Sequence, residues 1–364
     1  MRIVFDCRYT RIDRHDGISR YTAGLITAFA KLHPVTMLIS DHRQLEMLPS
    51  LPWELVSPPE SIREPFIAHT INRLHPDVVF TPMQTMGSWG RNYRLVLTVH
   101  DLIYYRNRTP PRNLPWGIRL LWRLYHLSWW PQRMLLNRAD AVVTVSQTTK
   151  DLIREHNLTT RPVSIVPNAA DMLDGVHEVP ERRSGPVSRS LVYMGSFMGY
   201  KNVDTLVHAM ARLPEYELHL MSRITDAERA RLTALEPSAG LVFHNGASDE
   251  EYAGELSRAT ALVTASLDEG FGIPLVESMS LGIPVVVSDI PIFREIGGSA
   301  ALFFDATNAD ALVTEVRRLE QSGVWADRSA ASRREAARFT WSASADHLLT
   351  VLTATAGRAR RKLR

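Results

Sequence analysis

The chain has 364 residues, of which 45% are apolar and 22% are charged, and its formal net charge is +3. This composition is typical of a globular enzyme and excludes a disordered or fibrous protein, and the length suits two domains of about 150 to 200 residues each. Cys7 is the only cysteine, which excludes an intramolecular disulfide and a zinc site built on paired cysteines.

The first half of the chain predicts strands that alternate with helices. The opening residues Met1–Asp6 enter a strand without the long apolar core of a signal peptide, and no run approaches the roughly 18 apolar residues of a membrane span. We therefore expect a cytoplasmic protein. The predicted strands are Arg2–Arg8, Val35–Ser40, Asp77–Thr81, Leu95–His100, Ala141–Ser146 and Val163–Pro167. Such alternation indicates parallel βαβ units and a doubly wound sheet.

Two residues in this half follow strands closely. Gly17 precedes a segment with helical periodicity, Ile18–Ile26, so we expect it at a helix start that offers a site for an anion or for close backbone approach. His100 ends a strand and is followed by Asp101. A lone histidine at a strand end is more often structural than catalytic, and Asp101 is equally suited to cap a turn or a helix.

The segment Pro110–Arg138 is rich in tryptophan and arginine and contains neither Asp nor Glu. Its tryptophans are Trp116, Trp122, Trp129 and Trp130, and its arginines are Arg112, Arg119, Arg123, Arg133 and Arg138. Tryptophan together with arginine on a helix is typical of a membrane interface or a lipid-acceptor site. We therefore expect contact with an anionic membrane, to which the basic tail Arg358–Arg364 adds attraction. The alternative is a helix that faces the core and keeps its arginines in solvent.

A linker is predicted at Asp171–Ser188, where Gly, Pro and charged residues show no periodicity. We divide the chain into residues 1–175, residues 176–340 and a final helix, 341–364. The predicted strands after the linker are Ser190–Ser196, Glu217–Ser222, Leu241–Asn245, Ala261–Ser266 and Pro284–Asp289, and the predicted helices are Val203–Leu213, Asp226–Leu235, Asp249–Ser257, Pro274–Leu281 and Ala330–Ala356. Two domains of this kind bind ligands in a cleft between the carboxyl edges of their sheets.

The strongest chemical signal is the sequence DEGFGIPLVE at 268–277, which follows the apolar strand Ala261–Ser266. The glycines predict a loop, and Pro274 predicts the first position of a helix, where its missing N–H is no loss. Free backbone N–H groups and the positive end of a helix dipole form a phosphate site. Glu269 and Glu277 flank this site and accept hydrogen bonds from hydroxyl pairs, which indicates a diphosphate sugar. The alternative is two surface carboxylates beside a chance glycine motif.

The sequence EGFGIPLVE at 269–277, together with SLGIPVVVSD at 280–289, resembles the signature of retaining glycosyltransferases of family 4, which have the GT-B fold. The resemblance extends over most of the chain. It implies an α/β protein with two Rossmann-like, doubly wound domains that face each other across a cleft. It also implies that the first domain binds the acceptor, that the second binds the nucleotide sugar, and that the final helix crosses back onto the first domain.

The resemblance also assigns roles to residues. It implies that Glu277 holds the donor ribose, Glu269 the sugar hydroxyls, and the backbone of Gly270, Phe271, Gly272 and Ile273 the diphosphate, together with Lys201. It further implies that His100 hydrogen-bonds the donor sugar, that Gly17 lies against the diphosphate and the acceptor, and that the loop at Asn245 meets the base. A loop lysine is ordinarily only solvated, but Lys201 is one of four lysines in the chain and occupies the position of the family motif.

A second cation that family members carry near this lysine is missing, because the matching positions hold Ser196 and Tyr200. Arg223, at the end of a predicted strand, and Arg8 are the candidates to replace it. The 13 histidines are scattered and no Asp-x-Asp pair is present. We therefore expect neither a metal nor another cofactor, with the glycine loop and Lys201 supplying the positive charge.

Together these features predict a hexosyltransferase that moves a hexose to a hydroxyl of a glycan or glycolipid acceptor with retention of configuration. The first donor that we expect is GDP-mannose, from which mannose would be transferred. The resemblance implies that no protein nucleophile takes part and that the leaving phosphate accepts the acceptor's proton on the same face. Nucleic acid is not an expected partner. The alternatives are a UDP-glucose-type donor with a soluble acceptor, a UDP-sugar epimerase or a phosphorylase of the same fold, and a protein that only binds sugar nucleotides.

Overall fold

The computed structural model describes residues 1–13, 15–109, 115–170, 185–186 and 188–357. The chain divides into two compact units. The first unit consists of Met1–Asn168 and the C-terminal segment that begins at Trp341, and the second consists of Ala169–Thr340. The predicted boundary between residues 175 and 176, most of the predicted linker and the basic tail Arg358–Arg364 lie outside the described residues.

The first unit is built on a parallel sheet of seven strands. These are β1 Ile3–Asp6, β2 Val35–Ile39, β3 Trp53–Leu55, β4 Val78–Phe80, β5 Arg94–Val99, β6 Ala141–Thr144 and β7 Val163–Ile165. Its helices are α1 Gly17–Phe29, α2 Ile67–Ile71, α3 Ile103–Arg106, α4 Trp116–Tyr125, α5 Trp130–Asn137 and α6 Gln147–Glu155. The strand order is β3-β2-β1-β4-β5-β6-β7, so the direction of winding reverses between β1 and β4.

The second unit repeats this architecture with six parallel strands. These are β8 Ser190–Tyr193, β9 Glu217–Leu220, β10 Leu241–Phe243, β11 Ala261–Thr264, β12 Val285–Ser288 and β13 Leu302–Phe304. Its helices are α7 Val203–Met210, α8 Asp226–Leu235, α9 Asp249–Arg258, α10 Ile273–Ser280, α11 Pro291–Gly297, α12 Ala309–Arg318 and α13 Val324–Ala336. The order is β10-β9-β8-β11-β12-β13, and the winding reverses between β8 and β11.

The two sheets confirm the predicted fold class of two Rossmann-like, doubly wound domains. The central strands β1, β8, β11 and β12 are buried at every position and consist mostly of apolar residues. Strands of this kind form when helices cover both faces of a parallel sheet. The apolar runs in the sequence therefore identify the middle of each sheet.

The final helix α14, Trp341–Ala356, packs against α1 within the first unit. Trp341 is buried, and its indole lies directly against Gly24, where a Cβ would come within 2.2 Å of the ring. Ser344 Oγ also donates a hydrogen bond to the Pro167 carbonyl at 2.8 Å. Glycine at position 24 therefore gives the tryptophan the room that it needs to dock the helix.

The structure corrects the predicted elements in three places. β3 and β13 were not predicted; both are short strands at the edge of a sheet, and the residues of β3 are all exposed, so it has no buried apolar pattern. The helix predicted at Ala330–Ala356 is in fact two helices, α13 and α14, separated by residues 337–340. α10 begins at Ile273, so Pro274 is its second residue, where an N–H would still have no partner inside the helix.

Candidate functional site

The predicted donor-binding residues of the second unit lie at the carboxyl ends of its central strands. β8 and β11 are neighbours, yet the chain continues from β8 to β9 on one side and from β11 to β12 on the other. The loops that follow such a strand pair diverge and open a crevice where doubly wound folds bind ligands. Lys201 is in the loop region after β8, and the sequence EGFGIPLVE at 269–277 follows β11.

Asn202 fastens these two loops together. It adopts a left-handed backbone conformation with a φ of 51°, which asparagine tolerates, and it directly precedes α7. Its side-chain amide donates hydrogen bonds to the carbonyls of Ala265 and Ala306, at 3.2 and 2.6 Å. The Leu267 N–H also donates to the Tyr200 carbonyl at 2.8 Å. Sequence reasoning missed this role of Asn202, because an asparagine just before a helix ordinarily indicates an N-cap residue with an extended backbone.

Lys201 and Glu269 form an ion pair between Nζ and Oε1. Each of the two side chains is only 15% exposed. Ser266, a buried residue at the end of β11 that the sequence analysis did not single out, donates from its Oγ to the same carboxylate oxygen at 3.1 Å. The structure therefore brings together an ammonium group, a carboxylate and a hydroxyl, which are the groups that bind a phosphate and sugar hydroxyls.

Tyr193, the last residue of β8, anchors the loop that carries Lys201. Burial, assisted by the negative charge of Glu269, raises the pKa of Tyr193 well above its usual value. The phenol is therefore protonated, and it donates a hydrogen bond to the Ser196 carbonyl at 2.7 Å. This bond holds the start of the loop against the end of the strand.

The N-terminus of α10 has a geometry that suits the binding of an anion. Gly272 is its N-cap, with a φ of 95°, and as a glycine it has no side chain to cap the helix. A Cβ at this position would meet the Phe293 ring at 3.0 Å, so both the backbone conformation and the available space require glycine. The first turn offers backbone N–H groups and the positive end of the helix dipole to a ligand. The Phe271 side chain is buried, with its ring edge-on to Phe339, so it belongs to the core of the unit.

Glu277 lies one turn inside α10 and is only 4% exposed. It takes part in a hydrogen bond or another electrostatic interaction. A carboxylate so well shielded from water is stable only where hydrogen-bond donors face it. The position suits a carboxylate that receives hydrogen bonds from a ligand's hydroxyl groups.

Arg223 and Asn245 follow the neighbouring strands β9 and β10. The Asn245 side chain accepts a hydrogen bond from the Ile224 N–H at 3.1 Å, which joins the two loops. Gly246, with a φ of 100°, lies against the Arg223 side chain, where a Cβ would come within 2.5 Å of Arg223 Cγ. Arg223 is exposed and makes no hydrogen bond or ion pair with any described residue, so its guanidinium is available to an anion.

Arg8, the other candidate for the second cation, is fully engaged within the first unit. Its guanidinium bonds both carboxylate oxygens of Asp6 at 2.8 and 3.0 Å, both of Glu64 at 2.6 and 3.1 Å, and the Ser57 carbonyl at 3.1 Å. These contacts occupy all five of its N–H donors. Burial alone would lower the pKa of Arg8, but the two carboxylates raise it above its usual value. Arg8 is therefore a structural residue, and Arg223 is the remaining candidate.

His100 and Gly17 also belong to the first unit. The His100 ring lies edge-on to Tyr21 at 4.9 Å, and its Nε2 donates to the Pro82 carbonyl at 2.8 Å. Burial lowers the pKa of His100 to about 4, so the ring is neutral at neutral pH and Nδ1 is left as a hydrogen-bond acceptor. Gly17 is the first residue of α1, but the Asp16 carboxylate caps that helix by accepting from the Ser19 N–H at 2.9 Å. A helix start that already holds a carboxylate attracts a second anion less strongly.

Among the residues that the structure describes, no group of three or more His, Cys, Asp or Glu side chains is arranged to hold a metal ion. In the same part of the chain, no helix combines the length and the apolar content that crossing a bilayer requires.

Two Rossmann-like, doubly wound units in one chain are the architecture of the GT-B fold. Two family models match the chain: "Glycosyltransferase Family 4" over residues 15–172 and "Glycosyl transferases group 1" over residues 182–338. The chain belongs to glycosyltransferase family 4, as the sequence EGFGIPLVE at 269–277 predicts. It is a glycosyltransferase with the GT-B fold.

The chain is similar to one curated relative over most of its length. The O-antigen chain mannosyltransferase RfbU of Salmonella typhimurium is 25% identical over 84% of this chain and 87% of its own. Among solved structures, sucrose-phosphate synthase from Thermosynechococcus elongatus has a TM-score of 0.72 at 19% identity and covers 97% of this chain and 98% of its own. HepE from Anabaena, in complex with UDP and glucose, has a TM-score of 0.69 at 16% identity, with coverages of 97% and 100%. These two likenesses show the fold alone.

Proposed function

We propose that the protein is a retaining mannosyltransferase that transfers mannose from GDP-mannose to a hydroxyl group of a glycan or glycolipid in the cytoplasm. The observation that carries the proposal is the contact between Lys201 and Glu269 at the point where the second sheet reverses its winding. The Lys201 ammonium follows one of two adjacent strands there. The Glu269 carboxylate, which can accept hydrogen bonds from hydroxyl groups, and the N-terminus of α10 follow the other. The choice of mannose is supported by the relative RfbU, an O-antigen chain mannosyltransferase.

In the proposed complex, the donor separates Lys201 from Glu269, and each of the two side chains binds a group of the donor instead. The diphosphate binds the Lys201 ammonium and the N–H groups at the start of α10. The sugar hydroxyls donate hydrogen bonds to Glu269, and the ribose hydroxyls donate to Glu277. Arg223 is the second cation, the loop at Asn245 meets the base, and His100 accepts a hydroxyl hydrogen bond at Nδ1. A charge-assisted hydrogen bond is about twice as strong as a neutral one, so these contacts select a charged, hydroxylated ligand.

The proposed reaction uses no protein nucleophile. The bond between the anomeric carbon and the leaving phosphate oxygen breaks, and the acceptor oxygen bonds to the same carbon on the same face. The acceptor's proton passes to the leaving phosphate. Negative charge grows on the diphosphate as the bond breaks, and groups that are already oriented toward it stabilise the transition state most. Lys201 and the start of α10 have this role.

A screen of sugar nucleotides tests the donor. We expect GDP-mannose to raise the melting temperature of the purified protein, because a ligand at 100 times its Kd stabilises the folded state by about 2.7 kcal/mol. Mass spectrometry should then show addition of one hexose to a lipid-linked or soluble glycan acceptor. A shift with UDP-glucose in place of GDP-mannose would contradict the donor assignment. Turnover of a UDP-sugar without an acceptor would indicate an epimerase. Binding of a sugar nucleotide without transfer to any acceptor would indicate a non-catalytic protein.

We also expect the transfer rate to be unchanged by EDTA. In the proposed complex, Lys201, Arg223 and the backbone N–H groups at the start of α10 stabilise the negative charge of the diphosphate, so no metal ion is needed for this role. The measurement is the initial rate of GDP release in the presence of acceptor, with and without the chelator, after the protein has been freed of metal by gel filtration. A rate that falls with EDTA and recovers with manganese or magnesium would show that a divalent cation neutralises the diphosphate.

A further inference from the structure

Helix α4 exposes its apolar residues to solvent. None of its ten residues is buried. The exposed fractions are 83% for Trp116, 52% for Ile118, 52% for Leu120, 67% for Leu121 and 55% for Leu124. A helix on the surface of a globular protein normally turns its apolar stripe to the core. The arrangement in α4 is the reverse, so a large apolar surface is left uncovered.

Four of the five exposed apolar residues, all except Ile118, form one continuous side of the helix. At about 100° per residue, Trp116, Leu120 and Leu124 lie along one line, and Leu121 lies beside them. The opposite side faces the protein through Trp122 and Tyr125, which are half-buried. The ring of Trp122 contacts those of Tyr104 and His126 at 5.2 and 4.0 Å, and the ring of Tyr125 contacts Tyr105 at 6.5 Å. α4 is thus held by its aromatic side while its leucine side points outward.

The margin of the apolar side is positively charged. Arg119 and Arg123 are one helical turn apart beside the line of leucines, and neither makes a hydrogen bond or an ion pair with any described residue. No Asp or Glu occurs between Asp101 and Asp140. This part of the surface therefore combines apolar side chains with unopposed cations.

The apolar exposure continues at the start of α5, but not through every tryptophan. Trp130 is 62% exposed. Trp129, in contrast, stacks on the rings of Tyr105 and His156 at 4.0 and 4.1 Å. The sequence analysis grouped all four tryptophans of the segment in one surface, and the structure separates them. Trp116 and Trp130 face solvent, whereas Trp122 and Trp129 are packed against the protein. Residues 110–114 of the segment lie outside the described part of the chain.

We propose that the α4 surface, formed by Trp116, Leu120, Leu121, Leu124 and Trp130, inserts into the interfacial layer of a bilayer that contains anionic phospholipid. Leucines and tryptophans reach the boundary of the acyl chains, and Arg119 and Arg123 meet the phosphate groups. Amphipathic helices that bind membranes carry apolar residues on one face with arginine at its edge, and tryptophan prefers the headgroup layer.

The positive charge of the α4 surface favours an anionic bilayer over a second copy of the chain as its partner. In a symmetric dimer the same patch faces itself, so Arg119 and Arg123 of both copies would approach each other without a carboxylate between them. An anionic leaflet supplies the opposite charge over the whole patch, and it attracts each basic residue near its surface. The inference depends on this surface and not on the identity of the donor. A protein without transferase activity would still bind vesicles.

The experiment is co-sedimentation of the full chain with vesicles, without donor or acceptor. We expect binding to vesicles of phosphatidylcholine mixed with phosphatidylglycerol at low salt, and much weaker binding to phosphatidylcholine alone. The variant Leu120→Gln/Leu124→Gln should reduce the partition coefficient by about tenfold or more, since it removes two leucine side chains that the bilayer would bury. The variant Arg119→Gln/Arg123→Gln should reduce it about tenfold at low salt and little at high salt, where charges are screened.

The matched control is Lys31→Gln/Leu32→Gln, which removes one cation and one exposed leucine just after α1, outside the α4 surface. It should bind vesicles as the unmodified protein does, and circular dichroism should show that all variants are folded. Absence of binding at low salt would overturn the proposal, as would unchanged binding of both α4 variants. A dimer in analytical ultracentrifugation that the leucine variant dissociates would show instead that a second copy covers this surface.

Discussion

Replacement of Lys201 by alanine is expected to lower kcat by about 100- to 1,000-fold while it changes the KM for the donor much less. The reason is that the diphosphate carries more negative charge in the transition state than in the bound donor, so the ammonium stabilises the transition state more strongly. The measurement is a steady-state assay with GDP-mannose at saturating acceptor. Lys31→Ala, at an exposed lysine of the first unit, is the matched control and should leave both constants unchanged.

The ion pair complicates this experiment, because removing Lys201 also leaves Glu269 with only Ser266 as a hydrogen-bond donor among its contacts in the structure. The single variant Glu269→Gln and the double variant Lys201→Ala/Glu269→Gln together separate the two effects. If Lys201→Ala lowers kcat by the same factor in the Glu269→Gln enzyme as in the unmodified enzyme, the lost cation is responsible for the lower rate. A Lys201→Ala enzyme with unchanged kcat would contradict the assignment and transfer the role to Arg223, which Arg223→Ala would then test.

Replacement of Glu277 by glutamine is expected to weaken donor binding by about 1.5–3 kcal/mol, or roughly 10- to 150-fold in Kd. The amide keeps the shape of the side chain in its buried position but is a poorer acceptor for the ribose hydroxyls and carries no charge. The measurement is isothermal titration calorimetry with GDP-mannose and with GDP. Both ligands contain the ribose, so both should lose affinity to a similar extent.

The control for Glu277 is Glu315→Gln on α12, where the carboxylate pairs with Arg318 at the surface. This variant should bind the donor normally. The melting temperature of each variant without ligand shows whether the fold is intact. A Kd for GDP that is unchanged in Glu277→Gln would mean that the ribose binds elsewhere, and the buried carboxylate would then be a structural group of α10.

The fold could be predicted because its signals are local. Strands buried on both faces must be apolar almost throughout. The sequences of β11 and β12, ALVT and VVVS, show this pattern within four residues. The short elements escaped prediction for the same reason. β3 has three exposed residues, and it is a strand only because β2 supplies its hydrogen-bond partners. Its pairing is a property of the sheet and leaves no periodic pattern in the segment itself.

The candidate site shows the same division. The sequence EGFGIPLVE at 269–277 contains the glycine that α10 requires, since a φ of 95° at Gly272 is a local demand on one residue. The contacts of Lys201 with Glu269 and of Asn202 with Ala306 join residues far apart in the chain. Arg8 was a reasonable candidate for the second cation until its partner Glu64, 56 residues away, was located. Availability of a charged group depends on such partners.

By itself, the sequence predicted two doubly wound domains and a loop that suits a phosphate, because backbone conformation and strand burial restrict residue types position by position. Its resemblance to glycosyltransferase family 4 added the GT-B fold and the class of activity. The tertiary structure decided which of its chemical groups are available to a ligand. Lys201 pairs with Glu269, Arg8 is bound by two carboxylates, and Arg223 pairs with none of the residues that the structure describes. It also decided that Trp116 is exposed while Trp129 is stacked between two rings. Exposure and pairing are set by neighbours that only folding brings into contact.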